Sequence, residues 1–188
     1  MDYNLLWYLS FYGGIAGIFG ILGAAVIAVG FARGAPRQGL IGTMGLMLAG
    51  LLVWLNGGRI LDGMGLAWRS WVNTACLVGG MLLFQVLMGL TIFCVHRWKR
   101  HPAVEAAVGL CALFSVLFLL TWGWTLTAFL HVPEREFLWQ GRRVVEEDGG
   151  FLDPIYDYYD SHGLFVKEKE PFYTARAGAA RLEPERES

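Results

Sequence analysis

The sequence predicts an all-α integral membrane protein with four transmembrane helices, arranged as two hairpins, and an extramembrane C-terminal tail. Hydrophobic residues make up 55% of the 188 residues and charged residues only 16%, whereas an average soluble domain has about 25% charged residues. The acidic residues are unevenly distributed, since three of the 16 precede His131 and 13 follow it. We therefore expect a four-helix transmembrane domain at residues 1–131 and an acidic, aromatic-containing tail at residues 132–188.

Four apolar runs have the length of a membrane-spanning helix. A helix needs about 20 residues to cross a hydrocarbon core roughly 30 Å thick. The candidate spans are Leu5–Phe31, Gly39–Leu55, Trp71–Val95 and Ala103–Leu130. The first run is too long for a cleavable signal peptide and lacks a basic segment before it, so we expect it to remain as a spanning helix.

Small residues in the spans are spaced for helix packing. The first span reads YGGIAGIFGILGAAVIAVG from Tyr12 to Gly30, with neither a G-x-G-x-x-G turn nor the Lys-Ser/Thr pair of a phosphate loop. Residues four apart share one face of a helix, and small residues there let two helices approach closely. The predicted packing residues are Gly13 with Gly17, the stripe Ala16, Gly20, Ala24 and Ala28, Gly45 with Ala49, and Ala75 with Gly79.

Basic residues in the connections predict the orientation. The first and third connections contain five basic residues and no acidic one: Arg33, Arg37, Arg97, Lys99 and Arg100. Short basic loops stay on the cytoplasmic or matrix side. We therefore expect both termini on the periplasmic or intermembrane side of a bacterial cytoplasmic or mitochondrial inner membrane. Arg97, Lys99 and Arg100 are predicted to contact anionic lipid headgroups.

The remaining segments carry weaker signals. The middle connection, Asn56–Ser70, contains four glycines, and we expect a partly ordered loop at the membrane interface. Residues 132–150 are interpreted as a short amphipathic helix ended by two glycines. The aromatic residues that follow lie in a segment too short for its own core, so we expect them to become ordered against a partner protein. The predicted partner-binding residues are Phe151, Tyr156, Tyr158, Tyr159 and Phe165.

The spans contain few polar side chains that could act in catalysis, transport or cofactor binding. Gln85 lies midway along the third span, and no span has Asp, Glu, Lys or Arg at its centre, where such residues mark transport or catalysis. We interpret Gln85 as a hydrogen-bond partner between helices. His96 and His101 lie in the basic connection, and we interpret them as part of its basic patch rather than as haem ligands. We expect no catalytic residue, metal, cofactor or nucleic acid, but we do expect bound lipids.

These features favour a non-catalytic accessory or structural subunit of a larger membrane protein complex. Its expected partners are other membrane subunits of a hetero-oligomer and anionic lipids, with a respiratory or ATP-synthesising complex as the expected setting by analogy. Two alternatives stay open. One is a small oligomeric transporter or channel lined by Gln85, Thr91 and Ser115, and the other is a redox membrane anchor that binds haem or quinone through His96 or His101.

Overall fold

A computed structural model of the chain describes residues 3–98, 102–150, 155–176 and 179–183. Its helices are α1 (Tyr3–Phe31), α2 (Ala35–Gly63), α3 (Ser70–Trp98), α4 (Pro102–Phe118) and α5 (Trp124–Leu130), with a π-helical turn at Leu119–Gly123 joining α4 to α5. Four helical stretches are long and apolar enough to cross a membrane: Ser10–Phe31, Ala35–Gly63, Ser70–Trp98 and Pro102–Leu130. The prediction of four helices of spanning length is confirmed, and the chain is compatible with a multi-pass membrane protein.

The prediction of an all-α fold is wrong, because the described residues also include six strands. These are β1 (Leu66–Trp68), β2 (Glu134–Trp139), β3 (Arg142–Asp148), β4 (Tyr156–Asp160), β5 (Val166–Glu168) and β6 (Tyr173–Ala175). They form two antiparallel sheets, one with the order β1-β5 and one with the order β2-β3-β4-β6. The C-terminal region is therefore a β region.

The amphipathic helix expected within residues 132–150 is a β-hairpin instead. Gln140 and Gly141 both have positive φ, at 50° and 73°, as the two central residues of a type I′ hairpin turn require. Val144 and Val145 on the second strand are fully buried, and β-branched residues favour strands. The turn and the valines together override the helical spacing of the apolar residues.

The expectation of a loosely ordered middle connection is also wrong. Helix α2 continues to Gly63, and β1 then pairs with β5. Trp68 of β1 lies against the end of α2, where a Cβ on Gly57 would be only 2.6 Å from its ring. Its indole Nε1 also donates to the carbonyl of Trp54 at 3.4 Å. Of the four glycines that argued against order, Gly57 is thus the one that makes room for Trp68.

The chain divides into two compact units. The helical unit consists of residues 1–51 and 78–128, and the strand-bearing unit consists of residues 52–77 and 129–188. The helical unit has two clusters of buried residues: Ile21, Phe84, Val108 and Ala112 in one, and Ala25, Ala28, Leu40 and Leu87 in the other. In the strand-bearing unit, Val144, Tyr158 and Ala175 form the centre of the core.

Helices α1 and α4 are in close contact through glycines of α1. A Cβ added at Gly14 would lie 2.3 Å from Cβ of Phe118, and one added at Gly17 would lie 2.6 Å from the backbone oxygen of Cys111. At Gly20 the nearest atom would be Sγ of Cys111, also at 2.6 Å. Such distances leave no room for a side chain, so the absence of Cβ atoms sets how closely the two helices approach.

We predict that Gly17→Ala destabilises the helical unit by about 1–3 kcal/mol, because the new methyl group overlaps a backbone oxygen that cannot rotate away. Gly23→Ala is the matched control, since Gly23 lies in the same helix and a Cβ there meets no atom within 4 Å. Both changes raise helix propensity equally. Thermal unfolding of the purified protein in detergent measures the difference, and equal midpoints for the two variants would contradict tight α1–α4 packing.

Candidate functional site

The predicted small-residue faces occupy different environments. Gly13, Gly17 and Gly20 lie against α4, whereas Ala16 is exposed, Ala24 is half-buried and Ala28 is buried. On α2, Gly45 and Ala49 are exposed, and on α3, Ala75 is exposed and Gly79 is half-buried. A Cβ at Gly45 or Gly79 would meet no atom within 4 Å. The faces on α2 and α3 therefore have space for another molecule.

Gln85 lies at the middle of α3 with its side chain exposed. Among the described residues the structure places no hydrogen-bond partner on its amide. Leu82, one turn before it, is 57% exposed, and a Cβ on Gly89, one turn after it, would meet no atom within 4 Å. The amide therefore lies at the centre of an otherwise apolar helix face, at the depth where lipid offers no hydrogen bonds.

The basic connection between α3 and α4 is described in part. Arg97 is exposed in the last turn of α3, while Lys99, Arg100 and His101 lie outside the described residues. Nδ1 of His96 lies 2.6 Å from Oε1 of Glu105, the acidic residue in the first turn of α4. The His96 imidazole thus has a carboxylate partner.

Most of the described aromatic residues that were expected to bind a partner are instead buried or half-buried within the strand-bearing unit. Phe151 lies outside the described residues. Tyr158 is fully buried, Tyr159 is 9% exposed and Tyr156 is half-buried. Phe165 remains 52% exposed, with its ring centroid 5.4 Å from that of Trp71. Tyr158 and Tyr159 are core residues, and Phe165 is the one exposed side chain among the described members of the set.

A buried cluster of charged residues, which the sequence did not predict, lies in the strand-bearing unit. Arg69, between β1 and α3, is 6% exposed. Its Nε donates to Oε2 of Glu134 at 3.0 Å, and its Nη1 donates to Oε2 of Glu136 at 2.6 Å. Burial alone would lower the pKa of Arg69, but the hydrogen bonds to Glu136 and Glu134 outweigh burial and raise this pKa further above its ordinary value.

Glu134 also connects this ion pair to the helix that follows it. Its Oε1 accepts a hydrogen bond from the backbone N–H of Ser70, the first residue of α3. A carboxylate at this position satisfies a free N–H and interacts favourably with the positive end of the helix dipole. The hydroxyl of Ser70 in turn accepts from the N–H of Val132 at 2.9 Å. Arg69, Ser70 and Glu134 thus tie the start of α3 to the segment that follows α5.

The cluster continues across the larger sheet. Glu134 and Glu147 are directly opposite each other in the β2–β3 register, where like charges are destabilising. The ammonium of Lys167 pairs with Glu147 and lies 3.5 Å from the ring centroid of Tyr159. Burial raises the pKa of Glu147, Lys167 opposes that rise, and the neighbouring Glu134 adds to it.

The cluster is a closed network of paired charges and fits a structural role. Its two cations and three carboxylates pair with one another, and among the described residues no group of three His, Cys, Asp or Glu side chains is placed to hold a metal ion. The sequence contains one hint of the network: Glu134 is the fourth residue after the fourth span, and Arg69 immediately precedes the third span. Nothing local in the sequence pairs them.

Comparison with protein-family models, with curated proteins and with solved structures found no match to this chain. Evidence for a function therefore comes from the chain's own residues, because a fold by itself does not define a function. Two features are relevant: Gln85 in the helical unit, whose amide has no hydrogen-bond partner among the described residues, and the closed charged cluster in the strand-bearing unit.

We predict that Arg69→Leu destabilises the strand-bearing unit by about 3–5 kcal/mol, because it leaves the buried carboxylate of Glu134 without its cation. Arg143→Leu is the control, since Arg143 is exposed on β3 and surface charges contribute about 0–1 kcal/mol. Limited proteolysis of the detergent-purified protein, followed by mass spectrometry, reports the change. If both variants resist cleavage equally within residues 133–188, the ion pairs of Arg69 do not stabilise the sheet.

The raised pKa of Glu147 predicts that the stability of the strand-bearing unit depends on pH. Because the folded state binds this proton more tightly than the unfolded state, the wild type loses stability as the pH rises from the ordinary Glu pKa of about 4.3 through the folded-state value. Glu147→Gln removes this titration, so the stability of the variant relative to wild type should increase with pH across that window. Thermal midpoints measured at several pH values test this, with Glu170→Gln as an exposed control. A constant difference at every pH would refute the assignment.

Proposed function

We propose that this chain is a non-catalytic accessory subunit of a larger membrane complex, in which exposed faces of α2 and α3 pack on helices of other subunits. The single observation that carries the proposal is Gln85. Its amide is exposed at mid-helix, on a face where Leu82 and Gly89 offer it nothing to bond. Burying an amide in an apolar environment without a hydrogen bond costs about 2–7 kcal/mol.

A helix from another subunit removes this cost. Glutamine side chains hydrogen-bond between helices in membranes, at about 0.6–2 kcal/mol for each bond. Gly89 lies one turn from Gln85 with open space beside it, so a second helix has room to come close enough for its backbone or side chain to reach the amide. Small residues beside a polar residue are typical of such contacts.

Helix α2 supports the same proposal. Only 6% of its most apolar segment is buried within the chain, compared with 28% for α1. Gly42, Gly45 and Ala49 follow one another on its exposed surface, and a Cβ at either glycine would meet no atom within 4 Å. This small-residue face resembles the α1 face that packs against α4, except that no atom of the described residues lies against its glycines.

The proposed setting follows the charge pattern. The basic connections favour an orientation with both termini on the periplasmic or intermembrane side, with a bioenergetic complex of the bacterial cytoplasmic or mitochondrial inner membrane as the setting suggested by analogy. The strand-bearing unit would then present Phe165 and Leu164, both more than half exposed, to partners on that side.

The transporter alternative has less support. Thr91 and Ser115 are fully buried, and each hydroxyl donates to a carbonyl of its own helix, at 2.7 and 2.8 Å. These buried hydroxyls therefore do not share the exposed surface on which Gln85 lies.

We predict that Gln85→Leu releases the chain from its complex. The chain is extracted from its native membrane in mild detergent, and co-purifying subunits are identified after native-gel sizing. Gln38→Leu is the matched control, because Gln38 is exposed in the first turn of α2, near the end of a span where water satisfies an amide. We expect Gln38→Leu to keep the large assembly and Gln85→Leu to lose it.

Two results would refute the proposal. One is a wild-type chain that runs as a monomer free of other subunits after mild extraction. The other is a Gln85→Leu variant that retains every subunit retained by the wild type, because the amide would then have no partner to lose.

A further inference from the structure

A cavity of about 390 Å³ lies within the helical unit, at the ends of the helices that the basic connections join. Its walls come from the last turns of α1 and α3 and from the first turns of α2 and α4, and they include Ala28, Val95 and Val108. At its edge the rings of Phe31 and Trp98 stack with centroids 4.0 Å apart. The volume falls within the range of small-molecule and cofactor sites.

Two cations line this otherwise apolar cavity. Arg33 and Arg97 both belong to its lining and are both exposed. Among the described residues neither guanidinium has an ion pair or a side-chain hydrogen bond, whereas Arg69 has two carboxylates. Guanidinium groups bind phosphate through paired hydrogen bonds. An anionic group at the mouth of the cavity would therefore find two uncompensated positive charges.

We propose that this cavity is a binding site for one anionic phospholipid, whose phosphate is held by Arg33 and Arg97 and whose acyl chain enters the apolar interior. The apolar walls provide no favourable contact for a free phosphate ion. Each methylene of an acyl chain buried there contributes about 0.8 kcal/mol to the free energy of binding. The position fits as well, because Arg33 follows the end of α1 and Arg97 lies in the last turn of α3, where a spanning helix meets the headgroups. The inference does not depend on the proposed function.

Net charge alone also attracts anionic lipid, so the test uses variants with the same change in charge. Native mass spectrometry of the full chain, purified in detergent, is used to count bound phosphatidylglycerol or phosphatidylcholine for the wild type, Arg33→Gln, Arg97→Gln and Arg37→Gln. Arg37 lies four residues after Arg33, in the first turn of α2; it is exposed and does not line the cavity. We expect one phosphatidylglycerol per chain, bound about tenfold more weakly after Arg33→Gln or Arg97→Gln and unchanged after Arg37→Gln.

Cys94 provides a second readout from inside the cavity. Its half-buried thiol lines the wall, so a bound acyl chain should slow its modification by N-ethylmaleimide. Cys76 is exposed and outside the lining, and its labelling rate is the internal reference. We expect phosphatidylglycerol to protect Cys94 at least several-fold relative to Cys76, and inorganic phosphate to leave Cys94 unprotected.

Three outcomes would overturn the proposal. Equal weakening by all three arginine variants would show attraction by net charge only. Equal binding of phosphatidylcholine would show that the arginines do not select the headgroup. Protection of Cys94 by inorganic phosphate as strong as that by phosphatidylglycerol would show a site for a free anion. A misfolded variant is recognised by changed Cys76 labelling, and the protection of Cys94 in the wild type still decides the question.

Discussion

The ion pairs of Arg69 with Glu134 and Glu136 are the interaction on which the strand-bearing unit depends. They join the connection between α2 and α3 to the first strand after α5, more than 60 residues away in the chain. Glu134 also caps α3 through the N–H of Ser70. The start of α3, the end of α5 and the edge of the larger sheet are consequently held by one group of buried charges.

The smaller sheet extends this connection. Next to Arg69, β1 pairs with β5 along its three residues, and the N–H of Arg69 itself donates to the carbonyl of Phe165 at 3.0 Å. Beyond the other end of the pairing, Lys169 forms an ion pair with Asp62. Backbone pairing and charge pairing thus act on the same short segment, which explains why a connection rich in glycine is ordered.

The buried charges of the strand-bearing unit are paired within that unit, whereas three polar side chains of the helical unit have no partner among the described residues. In the strand-bearing unit the buried charges Arg69, Glu146 and Lys167 all have charged partners within the chain. In the helical unit Gln85 lacks a partner among the described residues at mid-span, and Arg33 and Arg97 lack one at the helix ends. An amide in an apolar solvent is costly to leave unsatisfied, which supports the proposal that Gln85 bonds to another subunit.

Much of the helical unit was predictable from the sequence, and little of the strand-bearing unit was. Apolar runs of about 20 residues determine spanning helices, because lipid forces each segment to satisfy its backbone within itself. The partner of each strand was decided only by the tertiary structure: Leu66–Trp68 pairs with Val166–Glu168, and Arg69 meets Glu134, across separations that no local pattern records. A strand draws its hydrogen bonds from another part of the chain, whereas a helix draws them from its own neighbours.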